Sequence, residues 1–213
     1  MDHFIAYEGK QNIALAQMRE EYVSEFVPWI NRRKGIEGTL QRPPYSLEMG
    51  REWVRDHDKN KGKSESFAIL RKDPKTNGGW CYVGHTGLHG IKWPDARATS
   101  GSMIIDAKSR GEGCGTEAKL LLLYHAFYVL GLRKVHSAVK AWNAASLGHL
   151  LKCGYQIIGQ RKKEVFHEGE YVDEFLLEVF RVEWEPVWQE YQSSGELPRL
   201  TQEQRTLITV EVH

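Results

Sequence analysis

Apolar residues recur at every second position in some stretches of this chain and at every third or fourth in others, and the two periods outline its elements. Ile13, Leu15 and Gln17 alternate with Ala14, Ala16 and Met18, a weak first strand. Over residues 20–31 the period lengthens, and Tyr22, Phe26, Val27, Trp29 and Ile30 make a helical stripe. Residues 35–45 hold two glycines and Pro43-Pro44 and read as a loop, after which Ser46 is suited to cap a helix running to about Asp58. A polar loop over 59–65 leads into two paired strands, 66–70 and 80–88, joined by the turn-rich stretch 73–79. Another loop, around Trp93-Pro94-Asp95, precedes a strand at 102–105.

The pattern then becomes strand, Gly-rich turn, long helix, strand, helix, strand. Residues 116–130 are apolar nearly all round, which predicts a buried helix, with Gly131 ending it. A strand follows at 135–139. Asn143 caps a short helix whose inward face is Leu147, Leu150 and Leu151, and Gly154 closes it. Residues 156–159 and 165–180 read as strands, the second holding a hairpin turn at Glu168-Gly169. The expected class is α/β (α+β), with one domain over 1–183 and a C-terminal helix and polar tail outside the core over 184–213. No internal repeat is visible.

Composition narrows the possibilities. Among 213 residues, 29 Lys and Arg face 28 Asp and Glu, and 41% are hydrophobic and 11% aromatic, as in a folded soluble chain. This excludes a disordered polyelectrolyte and a protein that holds nucleic acid by global charge. The nearly apolar run 120–132, interrupted by His125, is too short to span a bilayer at about 1.5 Å per residue. Cys81, Cys114 and Cys153 are odd in number, with no Cys-x-x-Cys pair, so neither a disulfide framework nor a metal site is expected. Met1-Asp2-His3-Phe4 does not open a signal peptide, and the expected location is cytoplasmic.

The stretch richest in chemistry is Arg110-Gly111-Glu112-Gly113-Cys114-Gly115-Thr116, between a strand and a buried helix. Three alternate glycines let successive N–H groups converge, and the helix N-terminus adds partial positive charge, so the turn suits a phosphate or pyrophosphate. A P-loop would need a Lys after the glycines, and none follows. Gly113 to Ala118 does fit the Gly-x-Gly-x-x-Ala of a dinucleotide fold, which also wants an acid about 20 residues on. Residues 118–163 contain no acid, but do contain Lys119, Arg133, Lys134, Lys140, Lys152, Arg161, Lys162 and Lys163. A basic flank suits coenzyme A, with its additional 3′-phosphate, and leaves a Rossmann-type oxidoreductase as the second reading.

These residues resemble the GNAT superfamily of N-acetyltransferases, especially the branch of ribosomal-protein N-terminal acetyltransferases, over about residues 13–182. One signature is Arg110, Gly113 and Gly115 in the turn. The other is Asn143-Ala144-Ala145-Ser146 followed by Lys152-Cys153-Gly154-Tyr155. The resemblance implies a mixed twisted sheet with helices on both faces and splayed central parallel strands, which admit the pantetheine arm of acetyl-CoA. Backbone groups of Ile104, Ile105 and Asp106 would pair with that arm, and amides of Gly111, Glu112, Gly113, Cys114, Gly115 and Thr116 would cradle the pyrophosphate. Asn143 and Ser146 would lie near the thioester.

The implied reaction is direct attack of a primary amine, from a protein N-terminus or a small molecule, on the thioester. In this branch Ser146 would protonate the leaving thiolate, since the Tyr common four residues later is Leu150 here. The Glu base of many members is replaced by Ser100, which makes Glu164 the expected base, with Asp173 and Glu174 as competitors. His85 and His89, four apart on a strand, would face one side and read mainly as incidental. Trp29, Trp53 and Trp93 are candidate walls of the acceptor pocket. Monomer and homodimer stay open, as does a coenzyme A-binding module without catalysis.

Overall fold

The computed structural model describes residues 3–32, 35, 44–60, 62–73 and 79–211. Most of the expected loop at 35–45, including Pro43, and the turn at 74–78 lie outside the described residues. Eight strands form one sheet: β1 (Ile5–Glu8), β2 (Ile13–Gln17), β3 (Ser64–Lys72), β4 (Trp80–Lys92), β5 (Arg97–Ile104), β6 (Lys134–Lys140), β7 (Gln156–His167) and β8 (Glu170–Phe180). Their order is β1-β2-β3-β4-β5-β6-β8-β7. Among the described residues only β5 and β6 run parallel; the other pairs are antiparallel. That mixed order excludes the parallel doubly wound sheet of the dinucleotide reading.

Each face carries a core. Helices α1 (Val23–Ile30) and α2 (Leu47–Lys59) cover one face, where Phe26, Val27 and Val54 pack on Ala14, Ala16, Ala68, Leu70 and Tyr82. The other face holds α3 (Cys114–Tyr124), α4 (Ala144–Lys152) and α5 (Arg181–Ser194), and Ile13, Leu15 and Ile69 point into it. Strand β2 alternated weakly because both its faces are buried. Ser46 caps α2 as expected, its side chain accepting from Met49 N–H.

Among the expectations that change, strand β5 begins at Arg97 rather than at 102. The helix begins at Cys114, because Gly113 at φ 82° already turns the chain into it. Near its far end His125–Val129 is a π-helical turn, with Leu130 N–H donating to His125 O at 3.0 Å. The His125 ring is held between the Tyr7 hydroxyl (2.7 Å) and Glu65 (2.6 Å), and this clamp accompanies the extra residue in the turn. The chain from Trp184 onward does not lie outside the core: Trp184 and Tyr191 are fully buried, and α6 (Gln202–Glu211) follows.

Hairpin β7–β8 turns on Glu168 (φ 49°) and Gly169 (φ 91°), the positive-φ pair of a two-residue hairpin loop. Strand β7 is continuous over its twelve residues and absorbs an irregularity between Arg161 and Val165, where Lys163 has φ 51°.

Candidate active site

Strands β5 and β6 pair at three positions, Arg97 with Lys134, Ala98 with Val135 and Thr99 with His136, and then part. Two hydroxyls cross the point of divergence: Ser100 donates to His136 O (3.3 Å) and Ser137 to Ser100 O (3.2 Å). Ser100 also bonds the Tyr155 hydroxyl at 2.8 Å, so the position where a Glu was expected holds a buried rivet. Beyond it the ladder between the two strands stops, which leaves a gap between them. Since Ser100 O faces β6, alternation directs the backbone groups of Ser102 and Ile104 into that gap.

Ile105 and Asp106 are turned the other way. Both N–H groups point at Val83 O on β4 (2.9 and 3.4 Å), and Asp106 O accepts from Ser109 N–H (3.2 Å), so these groups are spent within the protein. The Asp106 carboxylate is engaged too. Burial would raise its pKa, but Ser109 (2.6 Å), the Lys108 amide and the Lys108 and Arg71 charges together hold it below its ordinary value.

The Gly-rich turn lies between the end of β5 and the start of α3. Gly111 and Gly113 have φ near +80°, a conformation that side chains resist. Arg110 folds back: its guanidinium donates twice to Ile104 O (3.0 and 2.9 Å) and lies 5.3 Å over the Trp29 ring. It braces the turn against β5 rather than reaching into the concavity. The first N–H groups of α3 lack intrahelical acceptors, as in any helix, and so present donors at the turn. Cys114 there is buried, which pushes its thiol pKa up and keeps it uncharged.

Glu117, one turn into α3, anchors this wall. It is fully buried, accepts from Gln11 N–H (2.6 Å) and from the Tyr191 hydroxyl, and burial raises its pKa. Further along, Lys119 is buried as well, and desolvation pulls its ammonium down to about 8.

On the opposite wall the Asn143 carboxamide accepts from Ser146 N–H at 3.1 Å and caps α4, with Ser146 half-buried beside it. Leu150 is buried. Glu164 lies on β7, about half exposed and 3.6 Å from Arg161. Asp173 is bound by Lys163 N–H (2.8 Å) and Lys162 (3.0 Å), and its pKa is lowered by those two contacts. Glu174 is paired with Arg161 at 3.1 Å.

The basic flank seen in the sequence is therefore mostly spent on the protein itself. Lys134 pairs with Glu178, Arg161 with Glu174, and Lys162 with Asp173, while Lys119 is buried and Lys140 lies over Trp142. The acids missing from 118–163 reside on β8, the sheet neighbour of both β6 and β7.

His136 was missed by sequence reasoning. It stands opposite Thr99 at the last paired position of β6, on the face opposite the buried Val135, Ser137 and Val139. Its Nδ1 lies 3.7 Å from Glu178, which also holds Lys134 at 2.7 Å. Burial and the positive charges of Lys134, Arg97 and Arg133 lower its pKa against the pull of Glu178. The available signal was a histidine at the polar phase of an alternating core strand. His85 sits in an aromatic nest against Phe26 and Trp53, with Nδ1 3.0 Å from the Tyr82 hydroxyl, and His89 lies beside Gly101. Trp29 is against Arg110, whereas Trp93 is exposed and bonds Gly62 O. Among the described residues no cluster of three or more His, Cys, Asp or Glu could hold a metal, and no helix is long and apolar enough to cross a membrane.

Comparison with known proteins places this geometry. An acetyltransferase (GNAT) domain model matches residues 12–156. The alpha/beta-tubulin-N-acetyltransferase 9 of Drosophila melanogaster is 34% identical over 129 residues, 57% of this chain and 61% of that protein's length. Spermidine N-acetyltransferase from Vibrio cholerae, solved with CoA and spermine, superposes with a TM-score of 0.72 at 17% identity, over 81% of this chain and 98% of that one. Mycobacterium smegmatis RimJ with CoA-disulfide gives 0.72 at 16% identity, over 88% and 91%.

Proposed function

Because the chain belongs to the acetyltransferase (GNAT) domain family and is an acetyl-CoA-dependent N-acyltransferase, we propose that it moves an acetyl group to a primary amine at a protein N-terminus by direct attack in a ternary complex. The observation that carries this reading is the gap that opens after three parallel pairs and ends on a turn of converging N–H groups. Acetyl-CoA supplies the activated acyl group. Amides from Gly111 to Thr116 bind its pyrophosphate, and the Ile104 N–H faces the pantetheine arm while Arg110 holds the Ile104 carbonyl. Arg110 and Glu112 act on the turn's shape and charge. Asn143 orients α4 so that the Ser146 hydroxyl can hydrogen-bond the departing sulfur and relay to it the proton released by the acylated nitrogen, a modest task because a thiol of pKa about 8.5 leaves readily.

Two chemical jobs remain. A backbone N–H at the Ile104 end of β5 stabilises charge developing on the carbonyl oxygen. A base must take the proton of the attacking ammonium, and we assign it to His136 in preference to Glu164. An imidazole kept largely neutral can accept a proton near pH 7. Glu164, exposed and facing Arg161 on the edge strand, is the weaker candidate. A protein acceptor is supported by the Drosophila relative, an alpha/beta-tubulin-N-acetyltransferase; polyamines are the second reading, from the Vibrio cholerae enzyme solved with CoA and spermine.

The test is thiol release from acetyl-CoA with peptides bearing the N-termini of α- and β-tubulin and with spermidine. Turnover with the peptides and little with spermidine is expected. Turnover with spermidine alone overturns the acceptor, and tight acetyl-CoA binding without turnover on any amine marks a module without catalysis.

A further inference from the structure

The chain after β8 lies outside the stretch matched by the family model, yet it touches both elements that frame the gap. Gly195, at φ 72°, ends α5 and sends the chain back toward the Gly-rich turn. Leu197 then packs so closely on Gly113 that a Cβ there would overlap its Cδ1. Leu200 and Ile208 reach Gly148 of α4, lying 3.8 and 3.5 Å from where a Cβ would stand. Gln204 donates to Leu151 O at 3.2 Å, and Gln11 from the β1–β2 turn donates to Gly195 O at 2.6 Å. Residues 195–208 thus run from the pyrophosphate turn to the helix bearing Asn143 and Ser146. An open cavity of about 430 Å³ adjoins this path, bordered by Tyr191, Leu197, Pro198 and Arg199.

We infer that residues 195–200 are part of the cofactor site and form the wall for the nucleotide half of coenzyme A. The inference rests on the acetyl-CoA reading above and extends it. A pyrophosphate on the turn amides divides the molecule in two. The pantetheine arm enters the gap between β5 and β6, so the adenosine 3′-phosphate must leave the turn on its outer side. The outer side at Gly113 is Leu197. Leu197 and Pro198 offer an apolar surface to a purine, and Arg199, 3.5 Å from Glu196 in an exposed pair, brings the cation of this segment.

Calorimetric titration with acetyl-CoA and with S-acetylpantetheine, which lacks the nucleotide, separates this role from mere packing. Leu197→Ala should weaken acetyl-CoA binding about tenfold and change S-acetylpantetheine binding less than about twofold. Equal weakening of both ligands overturns the inference, because the residue then serves only the fold. No change with either ligand overturns it too. If Leu197→Ala does not fold, hydrogen exchange on the wild-type chain decides: acetyl-CoA should slow the amides of 196–200 and S-acetylpantetheine should not, and identical exchange with both is the contrary result. Failure of the wild-type protein to bind acetyl-CoA at all would instead remove the acetyltransferase reading.

Discussion

The two walls of the β5–β6 gap are built differently. The β5–turn–α3 wall is made of backbone: glycines at positive φ, a helix start, and buried anchors such as Glu117 that tie it to β2's turn and to α5. The β6–α4–β8 wall is made of side chains: His136, Lys134 and Glu178 in a half-buried ion cluster, and Asn143 over Ser146. Backbone recognition suits a ligand that never varies. Side-chain recognition suits chemistry and an acceptor that differ between relatives, because each residue can change without rebuilding the strand.

Breaking the side-chain wall should cost most. His136→Ala is expected to lower kcat on the best peptide about a thousandfold, within the range of lost general-base catalysis, with the KM for acetyl-CoA unchanged. The wild-type rate should fall as pH drops through the His136 pKa, which burial places below its ordinary value, and the variant should lose that limb. Glu164→Gln should keep it. If instead Glu164→Gln abolishes the limb and His136→Ala does not, the assignment of the base is reversed.

Under the backbone wall, Lys119→Met should stabilise the protein at pH 7 by roughly 3 kcal/mol, the cost of holding an ammonium whose pKa falls from 10.5 to about 8. The sign follows from the depressed value. Below about pH 8 the penalty is present in full, and between 8 and 10.5 the unfolded chain binds more protons, so wild-type stability should rise with pH. Urea midpoints that show no such rise, or a variant less stable at pH 7, would exclude a charged lysine in the core.

Gly113→Ala should reduce acetyl-CoA affinity by about 2 kcal/mol, combining the positive φ with the overlap on Leu197. An unaltered Kd would show that the turn is looser than its contacts. The smallest effect lies away from the gap: Ser46→Ala, which removes the cap of α2, should cost about 1 kcal/mol in thermal stability and leave kcat alone. A change in kcat there would mean that α2 shapes the acceptor pocket.

Legibility followed the same division between walls. The turn at 110–116 could be read because glycine spacing and a helix start act within a few residues, and the caps at Ser46 and Asn143 were readable for the same reason. The role of Arg110 was only half legible: its presence was visible, its fold onto Ile104 O was not. His136 escaped notice because its meaning depends on where β5 stops pairing with β6, a fact of register between strands more than thirty residues apart.

Near-neutral charge was similarly ambiguous. The eight cations of 118–163 suggested a surface reserved for phosphates, yet three of them pair with β8 carboxylates that come later in the chain. Sequence by itself determined most of the elements, the caps at Ser46 and Asn143, the Glu168-Gly169 hairpin and the glycine turn before α3, since local φ preferences and nearby donors set these. Tertiary structure alone decided the gap, the π turn at His125, the burial of Trp184 and the passage of Leu197 over Gly113. Each of those depends on groups far apart in the chain meeting in space, and neither periodicity nor composition records which of them meet.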